Sequence, residues 1–192
     1  MKQIILASTS PRRKELLSKT GLKFLAVKSG YEEDMTLKMK PNKLVEFLSK
    51  NKALAVADKY PESIIISGDT IVAYKEKVLG KPKSKIEAKK FLQMLSGKTH
   101  EVITAFTIFD SQTKKVFTKS IPTKITMKKL SDKEIDWYIK TGEPLDKAGA
   151  YAIQGLGSMF ITKISGDYFA TVGLPIYHLV KELKKFGIEI IA

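Results

Sequence analysis

An apolar run, Ile4-Ile5-Leu6, leads directly into Ala7-Ser8-Thr9-Ser10-Pro11-Arg12-Arg13-Lys14-Glu15-Leu16-Leu17, and no other stretch limits the fold as sharply. The run reads as a buried strand. Ser10 is a good helix N-cap, and Pro11 falls at the first helical position, where its missing N–H is an orphan in any case. The stretch is therefore a strand, a turn of small residues and a helix start. Arg12 and Arg13 stand in the first helical turn, against the partial positive charge of that end. Either they are solvated, with a dipole penalty of roughly 0.3–1 kcal/mol each, or they face an anion that open N–H groups and hydroxyls also hold.

The chain has 192 residues, enough for one domain with a substantial core, and residues 1–192 are expected to form one. It has no cysteine, which excludes disulfides and thiolate metal sites and fits a cytoplasmic location. No apolar run approaches the ~18 residues of a membrane span, and Met1-Lys2-Gln3-Ile4 opens no signal peptide. The net charge of +14 comes mainly from lysine. The lysines are scattered, without a basic tail or an aromatic-interleaved stripe, so no nucleic-acid partner is expected.

Further along, Lys23 to Val27 reads as a strand, and Glu32-Glu33-Asp34 is an acidic trio in an irregular loop. A helix from Pro41 to about Tyr60 presents Leu44, Val45, Leu48, Ala55 and Val56 on one face. Lys52 falls in the middle of that face, so its ammonium either snorkels to the rim or enters a polar cleft. Ile64-Ile65-Ile66 reads as a buried strand that ends in Gly68-Asp69-Thr70, before Ile71-Val72-Ala73 resumes. A carboxylate between two buried segments marks a crevice rather than an ordinary turn. Lys81, in Gly80-Lys81-Pro82, is a second lysine at a strand end.

Capping-box patterns open helices at Ser84 with Glu87 and at Ser131 with Glu134. His100 falls in a loop before a strand over Val102 to Phe109, and Trp137 reads as core or helix packing. A glycine-punctuated stretch from Thr141 to Gly157 carries Gln154, able to donate and accept. Gly166 to Gly173 reads as a loop, Leu174 to Phe186 as a helix and Ile188 to Ile191 as a last strand. Interspersed helices, hairpins and buried strands point to an α/β domain with a mixed sheet. Cationic helix start, acids and lysines together are equipment for a phosphate chain, and the acids suit Mg²⁺.

The stretch from Ala7 to Leu17 resembles the signature of the Maf family of nucleoside triphosphate pyrophosphatases. Gly68-Asp69-Thr70, Gly80-Lys81-Pro82, the run from Leu95 to Thr104 and the run from Gly142 to Tyr151 match further blocks of that family in order. The resemblance implies a Maf/Ham1, ITPase-like α/β fold, with an elongated mixed sheet flanked by helices and two lobes around a central cleft. It implies hydrolysis of a nucleoside triphosphate to the monophosphate and pyrophosphate with a divalent cation, Mg²⁺ or Mn²⁺, and commonly a homodimer.

The family's general base falls on Asp69, and its other cleft residues on Ser8, Arg12, Arg13, Glu33, Lys52, Lys81 and Gln154. The metal would rest on Asp69 and Glu33. Ala150-Tyr151-Ala152-Ile153-Gln154-Gly155 resembles the branch acting on dTTP and UTP, whose specificity positions fall on Arg12, Thr70 and Gln154. The family's link to arrest of septum formation leaves a second reading, a nucleotide-binding regulator of cell division without turnover.

Overall fold

The computed structural model describes residues 2–34 and 37–190. The opening stretch forms strand β1 (Gln3–Leu6), a turn and helix α1 (Pro11–Ser18). Ser10 takes the cap position, but its hydroxyl makes no capping bond. The strand expected over 23–27 narrows to β2 (Leu25–Ala26). Helix α2 (Pro41–Ala57) stops short of Tyr60; Ala53 is buried on its inner face, and Ala55, expected there, is exposed.

Strand β3 (Ser63–Tyr74) runs unbroken, so Gly68-Asp69-Thr70 lies in mid-strand and not at a strand end. Its backbone stays extended because β5 (Thr99–Asp110) pairs with it almost throughout. Short β4 (Lys77–Leu79) folds back on its end, and α3 (Lys85–Leu95) follows. The Ser84 hydroxyl caps α3, but the Glu87 carboxylate reaches the Lys83 N–H, leaving the box half closed. The box at Ser131 and Glu134 is complete and opens α4 (Asp132–Lys140). The remaining elements are β6 (Val116–Met127), β7 (Ile161–Ser165), α5 (Tyr168–Val172) and α6 (Ile176–Leu183).

The strand order is β2-β1-β3-β5-β6-β7, with β4 added to β3. β2 and β3 flank β1 in parallel; the other pairs are antiparallel. Twelve-residue strands make the sheet about 40 Å long. α2 covers one face, packing Ala53 and Val56 on Ile5 and Ile65. The other face carries two separate apolar clusters. Leu16, Leu17, Leu179 and Leu183 pack over Ile64, Ile66, Phe106 and Ile108 at one end. Ala88, Leu92, Ile135 and Tyr138 pack over Val72, Val102 and Ile125 at the other. These are the two lobes, and Gly68 and Thr70 lie between them.

Three further expectations differ from the structure. Trp137 is 44% exposed, because α4 turns the neighbouring Tyr138 inward instead. The segment 166–173 contains α5, capped by Asp167 on the Ala170 N–H. Residues 188–190 form no strand, and Ile191 lies outside the described residues. Among the described residues no helix is long and apolar enough to cross a membrane.

His100 differs as well. It belongs to β5, buried, with Nε2 2.6 Å from the Tyr151 hydroxyl. Nδ1 has no hydrogen-bond partner among the described residues, and burial pushes the imidazole pKa from 6.5 down to about 4. Its contribution to stability is complete above pH 6.5. Below that the unfolded chain takes up a proton that the fold refuses, so stability falls until about pH 4. The expected loss is about 3 kcal/mol. Urea midpoints across this window should show it, and His100→Gln should flatten the slope.

Candidate active site

One edge of β3 has two different neighbours. Residues 63–66 pair with β1, and residues 72–74 pair with β4. Between them, residues 67–71 have no strand on that edge among the described residues, while β5 continues on the other. The chain leaves β1 at this gap through Ala7 and Ser8 into α1. A ligand therefore gains access to the middle of the sheet beside Asp69, where strands diverge.

Alternation along β3 sends Asp69 toward α2 and Thr70 to the opposite face. Asp69 is 6% exposed and Lys52 7%. The Lys52 ammonium lies 2.5 Å from Asp69 Oδ1 and 2.6 Å from Glu33 Oε1. Lys52 thus enters the cleft, and in this state it is paired by two carboxylates. Burial pushes the Asp69 carboxyl above its usual value, and neighbouring Glu33 adds to this against the pull of Lys52 and Arg13. For Glu33 burial acts in the same upward sense, but Lys52, Lys81 and Arg13 outweigh it and hold the group low.

Arg13 lies across β3 on the other face. Its Nε donates to the Gly173 carbonyl at 2.9 Å and Nη2 to Thr70 Oγ1 at 3.1 Å, with Nη1 3.5 Å from Ser8 Oγ. Thr104 gives its hydroxyl proton to the Ala170 carbonyl, so Thr70 donates to Thr104 and accepts from Arg13. Gly68 makes room for this: a Cβ there would lie 3.3 Å from Arg13 Nε and 3.2 Å from the Ala105 carbonyl oxygen. The guanidinium is fixed before any ligand arrives.

A cleft of about 640 Å³ joins these groups. Arg12, Arg13, Glu33, Lys52, Asp69, Thr70, Lys81 and Gln154 line it. Ser8 does not; it stands behind Arg13, its oxygen accepting from the Ser10 N–H at 3.2 Å. Gln154 is exposed at the rim, its amide nitrogen donating to the Tyr168 hydroxyl at 3.3 Å. Lys81 is exposed on the opposite lobe. Val78, Phe91, Val102 and Ile153 add apolar side chains to this charged lining.

Sequence reasoning passed over Asp146 and Lys147, which pair with each other in the cleft wall. Two adjacent charges directly before the small-residue run Ala148-Gly149-Ala150 are the signal that could have marked them. Glu87 also lines the cleft, although the sequence marks it only as part of a helix start, and Lys83 beside it carries no sequence signal.

Asp69 and Glu33 offer oxygen donors that converge on one cation, the Lys52 ammonium. No group of three or more His, Cys, Asp or Glu side chains suited to a metal occurs among the described residues. Two carboxylates completed by phosphate oxygens and water match the habit of Mg²⁺, so the donor set fits such an ion. An anionic chain would meet Arg12, the open N–H groups of α1, Arg13 and Lys81, while Val78, Phe91, Val102 and Ile153 would suit an apolar ring.

The family model described as Maf-like protein matches residues 3–186. A dTTP/UTP pyrophosphatase of Bacillus anthracis is 48% identical over 190 residues, covering 99% of this chain and 98% of its own. A dTTP/UTP pyrophosphatase of Bacillus cereus is 50% identical over 190 residues, covering 99% and 93%. Among solved structures, the Staphylococcus aureus Ham1 protein aligns with 97% of this chain and 100% of its own, at 12% identity and a TM-score of 0.47.

Proposed function

The chain belongs to the Maf family, and from that premise we propose that it is a nucleoside triphosphate pyrophosphatase that hydrolyses dTTP and UTP to the monophosphate and pyrophosphate. The names of relatives about half identical to it support the substrate class. The observation that carries the chemistry is the buried Asp69 carboxylate at the gap in the β3 edge, with Arg13 fixed on the opposite face of the same strand.

In the proposed reaction, Asp69 accepts a proton from a water whose oxygen bonds to the α-phosphorus. The α–β anhydride bond breaks, and pyrophosphate leaves with the bond electrons. Arg12, Arg13 and Lys81 offset the triphosphate charge. Arg13 does so with little reorganisation, because Gly173 and Thr70 already hold it. Ser8 Oγ accepts from Ser10 and faces Arg13, which leaves its proton to donate. Asp69 and Glu33 would hold Mg²⁺ or Mn²⁺, and the ion would supply charge neutralisation on the phosphates. Lys52 balances the two carboxylates. The apolar side chains of the lining take the base, Gln154 reads the pyrimidine edge, and Thr70 acts through Arg13.

Pyrophosphate release from a panel of natural and base-modified triphosphates with Mg²⁺ tests this reading. The expected result is the highest kcat/KM for dTTP and UTP. Tight nucleotide binding without turnover would overturn it in favour of a non-catalytic regulator.

A further inference from the structure

Gln154 sits in a segment without regular structure between Tyr151 and Gly155, and its own side chain makes a single long bond to Tyr168. What locates it is the backbone on either side, and that backbone is tied to one pair of side chains outside the cleft. The buried Tyr138 of α4 accepts the Ala152 N–H on its hydroxyl oxygen at 3.1 Å. The same hydroxyl donates to Glu143 Oε1 at 2.7 Å. Glu143 then takes the Gly157 N–H on Oε1 at 3.0 Å and the Leu156 N–H on Oε2 at 2.9 Å.

Two glycines make this approach possible. A Cβ at Gly157 would lie 2.5 Å from the Tyr138 hydroxyl, and one at Gly155, where φ is +133°, 2.6 Å from Glu143 Oε2. The N–H donors and the tyrosine hold the Glu143 carboxyl below its ordinary value against its burial.

We propose that Tyr138 and Glu143 form a positioning unit that sets the reach of Gln154, so that base discrimination is governed from outside the cleft. Neither residue lines the cleft. The inference rests on the reading of Gln154 as the group that meets the nucleobase. Uracil and thymine offer an N3–H donor beside a carbonyl acceptor, whereas cytosine offers an N3 acceptor beside an amino donor. One amide can satisfy either edge, and a small shift of its backbone changes which edge it meets.

The test compares Gln154→Ala, Glu143→Gln and the double variant, with UTP and CTP as substrates. In Glu143→Gln an amide nitrogen replaces one acceptor oxygen, so a donor of this network loses its partner while Asp69 and Arg13 keep theirs. The expected result is a KM for UTP raised about tenfold, roughly the worth of one hydrogen bond, with kcat little changed. The UTP/CTP ratio of kcat/KM should fall by a similar factor. The double variant should be no worse than Gln154→Ala alone, because both changes remove one interaction.

Additive losses, or a fall in kcat with KM unchanged, would overturn the proposal in favour of a purely structural role. If Gln154→Ala leaves the UTP/CTP ratio intact, the underlying reading of Gln154 fails. If Gln154→Ala lowers that ratio and Glu143→Gln does not, the positioning unit alone fails. Tyr138→Phe, which keeps the Glu143 bonds to Leu156 and Gly157, decides the matter should Glu143→Gln not fold. It is expected to lower the ratio partway, and an unchanged ratio overturns the proposal.

Discussion

Asp69→Asn should reduce turnover of dTTP and UTP by a hundred- to ten-thousand-fold, about the range for loss of a positioned acid–base group. The amide keeps the shape of the carboxylate but cannot take the proton of the attacking water. The fold should persist. β3 is held by its ladder to β5 on one edge and by β1 and β4 on the other, and none of those bonds involves the Asp69 side chain. Burial already disfavours the charge at this position, so its removal also relieves a desolvation cost. A folded variant with lost pyrophosphate release is the expected result, its melting temperature lowered to the extent that Lys52 loses one of its two carboxylate partners; near-wild-type turnover would refute the assignment. The pH profile gives an independent check. Asp69 must be ionised to act, and its pKa lies above the ordinary 3.8. Activity in kcat/KM should therefore rise with pH and be lost on acidification at a higher pH than for an exposed aspartate.

Lys52→Met is the second large effect, and it acts on stability as well as on rate. It leaves Asp69 and Glu33 facing each other without the ammonium that now lies within 2.6 Å of both. Removing one partner of a buried pair costs about 3–5 kcal/mol, and the Lys52–Asp69 pair is less than a tenth exposed on both sides. The loss should be greatest at alkaline pH. As pH falls, the carboxylates take up a proton and the repulsion disappears, so the variant approaches wild type in urea midpoint. The pull of Lys52 on Asp69 is lost too, so the acid limb of the rate profile should move to higher pH. Urea titrations at pH 5 and pH 8, with rates over the same range, measure both. A pH-independent loss of stability would show that the methionine simply packs badly.

The strand–turn–helix at the start could be read from local chemistry, because Pro11 fixes its φ and the preceding isoleucines have only one place to go. Lys52 could be placed on the buried face by helical spacing, but its partners are 17 and 19 residues away and only the sheet brings them to it. Asp69 was legible as a carboxylate in a crevice and illegible as mid-strand. A Gly-Asp pair between apolar runs has the composition of a turn, and the ladder to β5, where Asp69 pairs with Ala105, overrides it. His100 failed for the same reason, since its burial depends on Tyr151 across the lobe. The Tyr138–Glu143 unit left no trace in the sequence beyond its glycines, because hydrogen bonds from one carboxylate to distant backbone have no period.

The two lobes are not joined by a linker. β3 and β5 run through both, hydrogen-bonded from Ile64 to Ala73, and β6 continues alongside β5. Such a pair of lobes has no loop hinge to swing on. Widening the cleft means flexing a beam of paired strands against its own ladder, so the gape between the walls is a property of sheet stiffness. Any closure around a bound molecule must then come from the short pieces clipped onto the beam, such as β4 with its three residues, rather than from a rotation of one half of the molecule against the other.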